Sequence, residues 1–157
     1  MNTMKSIVKT CLEQHEGGEV FFDNLDEMIR NDDSLIKMMI EKIQKEISPS
    51  FIVVSGNFGI VFLNYCMKNM PMDFTSSVIV VPGGLRNGVP VGNIPIKFSN
   101  QKGIFIDDSY YLGRTQQAIA KELKKIGSEI YKTYVFYDGS KEKKDDVVSF
   151  YRYYDHV

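Results

Sequence analysis

Short apolar runs rich in β-branched and aromatic residues recur along this chain, each ended by a turn signal and followed by a segment of different periodicity. Phe51 to Val54 is the first, set between Ser48-Pro49 and Ser55-Gly56. A run without polar alternation marks a strand covered on both faces, as in a parallel sheet. Val78 to Val81, Gly103 to Ile106 and Tyr131 to Tyr137 repeat the pattern. Between and before these runs the spacing is helical. Asp33-Ser34 caps a stripe of Ile36, Ile40, Ile43 and Ile47 that Ser48-Pro49 ends, Ile60 to Met70 follows the first strand, and Thr115 to Ile126 presents Ile119, Leu123 and Ile126 on one face before Gly127. Strands alternating with helices at this spacing predict an α/β fold of three layers, a mostly parallel central sheet with helices on both faces and right-handed crossovers.

The rest of the chain is read around that frame. Residues 3 to 14, with Ile7, Val8, Cys11 and Leu12 at helical spacing, predict a first helix that Gly17-Gly18 stops, followed by a short segment around Val20 to Phe22. Leu85 to Pro95 is too broken by glycine and proline for a helix. The charged run Lys141 to Asp146 reads as a solvated turn after Asp138-Gly139-Ser140, and the aromatic tail Val147 to Tyr154 is placed at a sheet edge or an oligomer contact. At 157 residues, one domain over 1–157 is expected, with a core over 33–157 behind an N-terminal segment, 1–32.

Composition excludes several classes. Nineteen basic against 20 acidic residues give a net charge of −1, so no broad positive field for nucleic acid exists and none is expected as a partner. Nowhere do about 18 apolar residues run together, which argues against a membrane span, and a cytoplasmic protein is expected. Cys11 and Cys66 make no metal-type pair and read as buried free thiols; His15 and His156 stand alone and read as surface residues.

In open parallel sheets ligands bind beyond the carboxyl ends of the strands, where loops lead into helix N-termini. Ser55 to Gly59, Pro82 to Gly84 and Asp107 to Thr115 occupy such places. The third carries the most chemistry. Asp107 and Asp108 stand at a strand end, a loop of Ser109, Tyr110, Tyr111 and Leu112 follows, and Gly113-Arg114-Thr115 enters a helix. Free amides at a helix start, with Gly113 permitting close approach, suit a phosphate dianion; the Thr115 hydroxyl adds a donor, Arg114 adds charge, and the carboxylates suit sugar hydroxyls.

Residues 104 to 115 resemble the signature of type I phosphoribosyltransferases, in which an apolar strand runs into two acids and then a loop with glycine and threonine. They match at Asp107, Asp108, Gly113 and Thr115. The resemblance implies that Asp107 and Asp108 hold the ribose hydroxyls of phosphoribosyl pyrophosphate and, directly or through water, a Mg²⁺ ion, while Ser109 to Thr115 hold the 5-phosphate. By order along the chain, Ser55, Gly56, Asn57, Phe58 and Gly59 correspond to the loop that contacts pyrophosphate. Leu85 to Gln101 corresponds to the mobile catalytic loop, where Arg86 and Lys97 supply cations but no Asp or Glu is found. Residues 1–32 would form a small hood for the acceptor base, and a homodimer is implied.

The sequence also departs from that signature. Tyr111 and Leu112 stand where small hydroxyl residues are usual, and Arg114 where a second glycine is common. Two functions are therefore carried forward: transfer of a phosphoribosyl group to a nitrogenous base with release of pyrophosphate, and a catalytically inactive protein of the same fold that binds a ribose 5-phosphate nucleotide in a regulatory role.

Overall fold

The computed structural model describes residues 5–9, 18–82 and 94–156. The apolar runs form strands β1 (Ile52–Ser55), β2 (Val78–Val81), β3 (Lys102–Tyr110) and β4 (Glu129–Asp138), and the aromatic tail supplies β5 (Val147–Arg152). They join in one five-stranded sheet of order β2-β1-β3-β4-β5 in which every pairing is parallel. The tail is thus an edge strand, as its aromatic content suggested.

Strand alternation divides the apolar residues into two cores. Ile52, Val54, Ile104 and Ile106 face one layer, built from residues 5–9 and helices α1 (Gly18–Arg30), α2 (Asp33–Glu46) and α3 (Gly56–Asn69). Phe51, Val53 and Phe105 face the other, built from helix α5 (Arg114–Lys124) and the segment around Ile94 and Phe98. A short helix α4 (Met72–Thr75) precedes β2. Cys66 is a buried free thiol of the first core; Cys11 and His15 lie outside the described residues. His156 is exposed, as expected, and its ring stacks on Tyr151. No helix among the described residues is long and apolar enough to cross a membrane.

Three elements differ from their sequence reading. The short segment expected around Val20 to Phe22 is part of a longer helix, Gly18–Arg30, whose Leu25 and Ile29 are fully buried, while the expected stop of the first helix before Gly18 lies outside the described residues. The expected break at Ser55 to Gly59 is not a separate loop, because Gly56, with φ of 62°, turns β1 directly into α3. That left-handed conformation carries almost no penalty for glycine. The loop expected over Asp107 to Arg114 begins later, since β3 continues to Tyr110 with Ser109 paired to Tyr137 and Tyr110 to Asp138.

The last crossover is unusual. β4 and β5 are parallel yet joined only by residues 139–146, with no helix. Parallel neighbours normally need a dozen or more connecting residues. Here β5 starts level with Thr133, so the chain runs back only part of the length of β4 before pairing again.

Candidate functional site

With strand order β2-β1-β3-β4-β5, the chain leaves β1 toward one edge of the sheet and later adds β3 on its other side. The helices that follow these strands lie on opposite faces, α3 on the first core and α5 on the second. The carboxyl ends of β1 and β3 are therefore the topological switch point, the place where doubly wound sheets form a ligand crevice. β1 stops at Ser55, while β3 runs on past the residue paired with Val54 to Tyr110, so Asp107 to Tyr110 rise as one wall above the start of α3.

Asp107 and Asp108 lie on that wall and are half-buried. By alternation Asp108 shares a face with Ile104 and Ile106, under the helices of the first core, and Asp107 shares a face with Phe105. The Asp107 carboxylate accepts from the Asp108 amide at 2.8 Å, and the Ser109 hydroxyl lies 3.4 Å from Asp108. The turn after β3 is short. Tyr111 and Leu112 are exposed, Gly113 is left-handed with φ of 72° and caps α5 without any side-chain bond, and Arg114 is exposed above half-buried Thr115. The amides of Arg114, Thr115 and Gln116 begin the helix and have no partner within it. The Tyr110 hydroxyl is folded back on this turn: a Cβ at position 113 would lie 2.6 Å from it, so a side chain there would have to displace the Tyr110 ring as well as take up a left-handed φ.

The structure redistributes the expected site residues. Ser109 and Tyr110 are ladder residues of β3 rather than loop amides, because the Gly139 amide donates to the Tyr110 carbonyl and extends the pairing. Phe58 belongs to the core, packed against Phe62 and Phe136, and Gly59 sits tight on Val54, which leaves Ser55, Gly56 and Asn57 at the crevice end of β1. Lys97 is not near the acids. The Gln101 side chain donates to the Lys97 carbonyl, Asn100 is bonded to Ile126, and Lys97 reaches over the Phe98 ring, all at the amino end of β3. From Lys102 to Asp107 the strand climbs about 16 Å at ~3.3 Å per residue. A charge at the amino edge cannot assist chemistry at the carboxyl edge. Arg86, Gly83, Gly84 and most of the expected mobile loop fall outside the described residues.

Asp26 and Arg30 were missed by the sequence reading. Helix α1 packs against β3 and places the Asp26 carboxyl beside Asp108, while Arg30 Nε donates to Asp26 Oδ2 at 2.8 Å. The available signal was Asp26 and Arg30 four residues apart, interleaved with Leu25 and Ile29 at helical spacing. Burial pushes the Asp26 carboxyl up to about 7, with the neighbouring Asp108 adding to the rise and Arg30 opposing it. Burial likewise raises Asp108 to about 7, helped by the Asp107 charge, and Asp107 to about 6. Among the described residues no group of three or more His, Cys, Asp or Glu is arranged to hold a metal ion.

These three acids make stability depend on pH in a definite direction. Unfolded, each titrates near 3.8; folded, each holds its proton to about 6 or 7. The folded state therefore binds more protons between those limits, and the stabilisation present below pH 4 is lost as pH rises through 6 to 7. In metal-free buffer the melting temperature is expected to fall by roughly 5 to 10 °C between pH 5 and 8, corresponding to about 3 kcal/mol. Thermal melts across that range check it; a flat or rising profile contradicts the buried acid cluster.

No protein-family model and no curated protein matches the chain. Solved structures do. A phosphoribosyltransferase from Corynebacterium diphtheriae superposes with a TM-score of 0.62 at 13% identity, covering 99% of this chain and 98% of that one. The UMP synthase of Leishmania donovani gives 0.54 at 14% identity, covering 78% of this chain but 27% of its own, so this chain spans about a quarter of that protein. An adenine phosphoribosyltransferase from Thermoanaerobacter pseudethanolicus gives 0.50 at 16% identity, covering 75% and 77%. At such identities the likeness is one of fold.

Proposed function

We propose that this chain, which has the fold of the type I phosphoribosyltransferases, binds phosphoribosyl pyrophosphate in the β1/β3 crevice and transfers its phosphoribosyl group to a nitrogenous base, releasing pyrophosphate. The observation that carries the reading is the wall of Asp107 and Asp108 leading to left-handed Gly113 and the open amides of α5, at the point where the sheet switches direction. The amides of Arg114, Thr115 and Gln116 would take the 5-phosphate, with the helix dipole favouring its charge. Asp107 and Asp108 would accept from the ribose hydroxyls, and Ser55, Gly56 and Asn57 would meet the pyrophosphate.

In the transfer the acceptor nitrogen bonds to C1 of the ribose as the C1–O bond to pyrophosphate breaks, the electron pair leaving with pyrophosphate. The ring bears positive charge in between, and the two carboxylates would stabilise that charge. Carboxylate oxygens suit Mg²⁺, which keeps several waters and takes one or two carboxylates together with substrate phosphates; it would neutralise the departing pyrophosphate. Arg86 would add a cation from the loop before residue 94. The same reading includes residues 1–32 as a hood over the core of one domain, 1–157, a homodimer and a cytoplasmic setting.

A second reading is favoured by one geometric fact: the chain's own groups lie on both halves of the site, Tyr110 on Gly113 and Asp26 on Asp108. That arrangement suits a regulatory protein that binds a ribose 5-phosphate nucleotide without turnover. Titration calorimetry with phosphoribosyl pyrophosphate and Mg²⁺, followed by a pyrophosphate-release assay over a panel of purine and pyrimidine bases, separates the two. Binding at micromolar concentration with release is expected; binding without release supports the regulatory protein, and no binding of the diphosphate or of any nucleoside monophosphate removes both.

A further inference from the structure

We infer that the Tyr110 hydroxyl is a further ligand of the 5-phosphate, donating to one of its oxygens from the strand side while the amides of α5 hold it from the helix side. The inference rests on the ribose-phosphate reading of that crevice and adds a side-chain donor to it.

The backbone of Tyr110 is held firmly. It is the last residue of β3, it lies opposite Asp138 on β4, and its carbonyl accepts from the Gly139 amide at 2.9 Å. Residues two apart on a strand share a face, so its ring stands on the same side as the Asp108 carboxylate, about 6.6 Å further along at ~3.3 Å per residue. The next residues turn the chain back, and left-handed Gly113 sets the start of α5 against that ring. The hydroxyl lies 2.6 Å from where a Cβ on residue 113 would stand, and the ring carbons Cζ and Cε2 lie 3.1 and 3.3 Å from it. A phenol anchored at one end by a strand ladder and packed at the other on a helix start presents its oxygen with little freedom.

Hydrogen-bond capacity gives that oxygen its role. The Gln117 amide donates to the Gly113 carbonyl at 2.9 Å, which leaves the amides of Arg114, Thr115 and Gln116 for a ligand. Among the described residues the Tyr110 hydroxyl accepts from none of these amides and has no other hydrogen-bond partner, so it does not satisfy the turn in the ligand's place. A phosphate monoester has three terminal oxygens, with more lone pairs than three amides use, and a phenol O–H can donate to one of them without bringing a charge of its own. A ligand that uses both Tyr110 and Asp108 must carry a phosphate and sugar hydroxyls on one scaffold, because the two side chains stand on one face of one strand.

The test is calorimetry with ribose 5-phosphate, and with phosphoribosyl pyrophosphate and Mg²⁺, on the full chain and on Tyr110→Phe, which keeps the ring and its packing on Gly113 and removes only the oxygen. Loss of one hydrogen bond to a charged acceptor is expected to lower the affinity for both ligands by about ten- to a hundredfold. The variant should melt as the parent does, and the phosphorus resonance of bound ribose 5-phosphate should shift between the two proteins, which a merely structural role of the ring would not produce. Equal affinities in parent and variant overturn the inference and leave the ribose-phosphate reading in place. Tighter binding by Tyr110→Phe overturns it as well, since the hydroxyl would then obstruct the turn rather than serve it. A parent that binds neither ligand removes the reading itself, and the inference with it.

Discussion

Replacing Asp107 and Asp108 together by asparagine is expected to weaken binding of phosphoribosyl pyrophosphate by about a hundredfold or more while leaving the fold intact. Each carboxylate offers a sugar hydroxyl a charge-assisted acceptor, and such bonds contribute about 1.5 to 3 kcal/mol apiece. Losing two of them exceeds the ~2.7 kcal/mol of a hundredfold change. The fold should survive because asparagine keeps an oxygen for the Asp108 amide, which donates to Asp107 at 2.8 Å. At pH 8 the variant should even melt higher than the parent, since burial disfavours the ionised acids there and asparagine carries no charge to bury. Calorimetry and thermal melts on the same samples measure both effects. A variant that binds as tightly as the parent places the sugar elsewhere.

The largest effect on stability is expected at Asp138, the buried end of β4. Its Oδ1 accepts from the Ser140 amide at 2.8 Å and the Ser140 hydroxyl at 2.6 Å, and its Oδ2 lies 3.6 Å from Arg152 Nε. Arg152, on β5 and 9% exposed, also donates to the carbonyls of Ser140 and Lys141 and to Asp155. Together they clasp the helix-free return between two parallel strands. Asp138→Ala removes the carboxylate beside Arg152 Nε, while Asp155 still pairs with the guanidinium, and it leaves the Ser140 amide without its acceptor, the Ser140 hydroxyl keeping the Glu142 carbonyl; a loss of about 2 to 3 kcal/mol is expected. Urea unfolding should show it, with Asp138→Asn costing less because it keeps the acceptor for Ser140. A change under about 1 kcal/mol would mean that the clasp is not what holds the return. The same variant should loosen the site, since the Gly139 amide is bonded to Tyr110, whose hydroxyl packs on Gly113.

Those two regions show how unevenly the chain reveals itself. Ile36, Ile40 and Ile43 at helical spacing, and the unbroken runs Val78 to Val81 and Gly103 to Ile106, mark elements whose burial pattern repeats over a few residues; each is found where its pattern lies. The acid pair and Gly113 are equally local, and they do stand at a strand end and a helix start. Other features were hidden because their causes lie far away in the chain. β3 extends to Tyr110 because β4 is there to pair with it, although Ser109 and Tyr110 by themselves read as loop. Phe58 looked like part of a glycine loop, and the rings of Phe62 and Phe136 draw it into the core.

Local pattern thus settles the alternation of strand and helix, the parallel sheet, and the presence of a glycine turn into a helix behind two acids. Which groups share that turn's surroundings is settled by packing between distant segments. α1 brings Asp26 to Asp108, and the amino edge takes Lys97 away from both. Periodicity encodes which face of an element seeks burial, but carries no information about the partner it meets; that depends on the free energy of the whole packed arrangement.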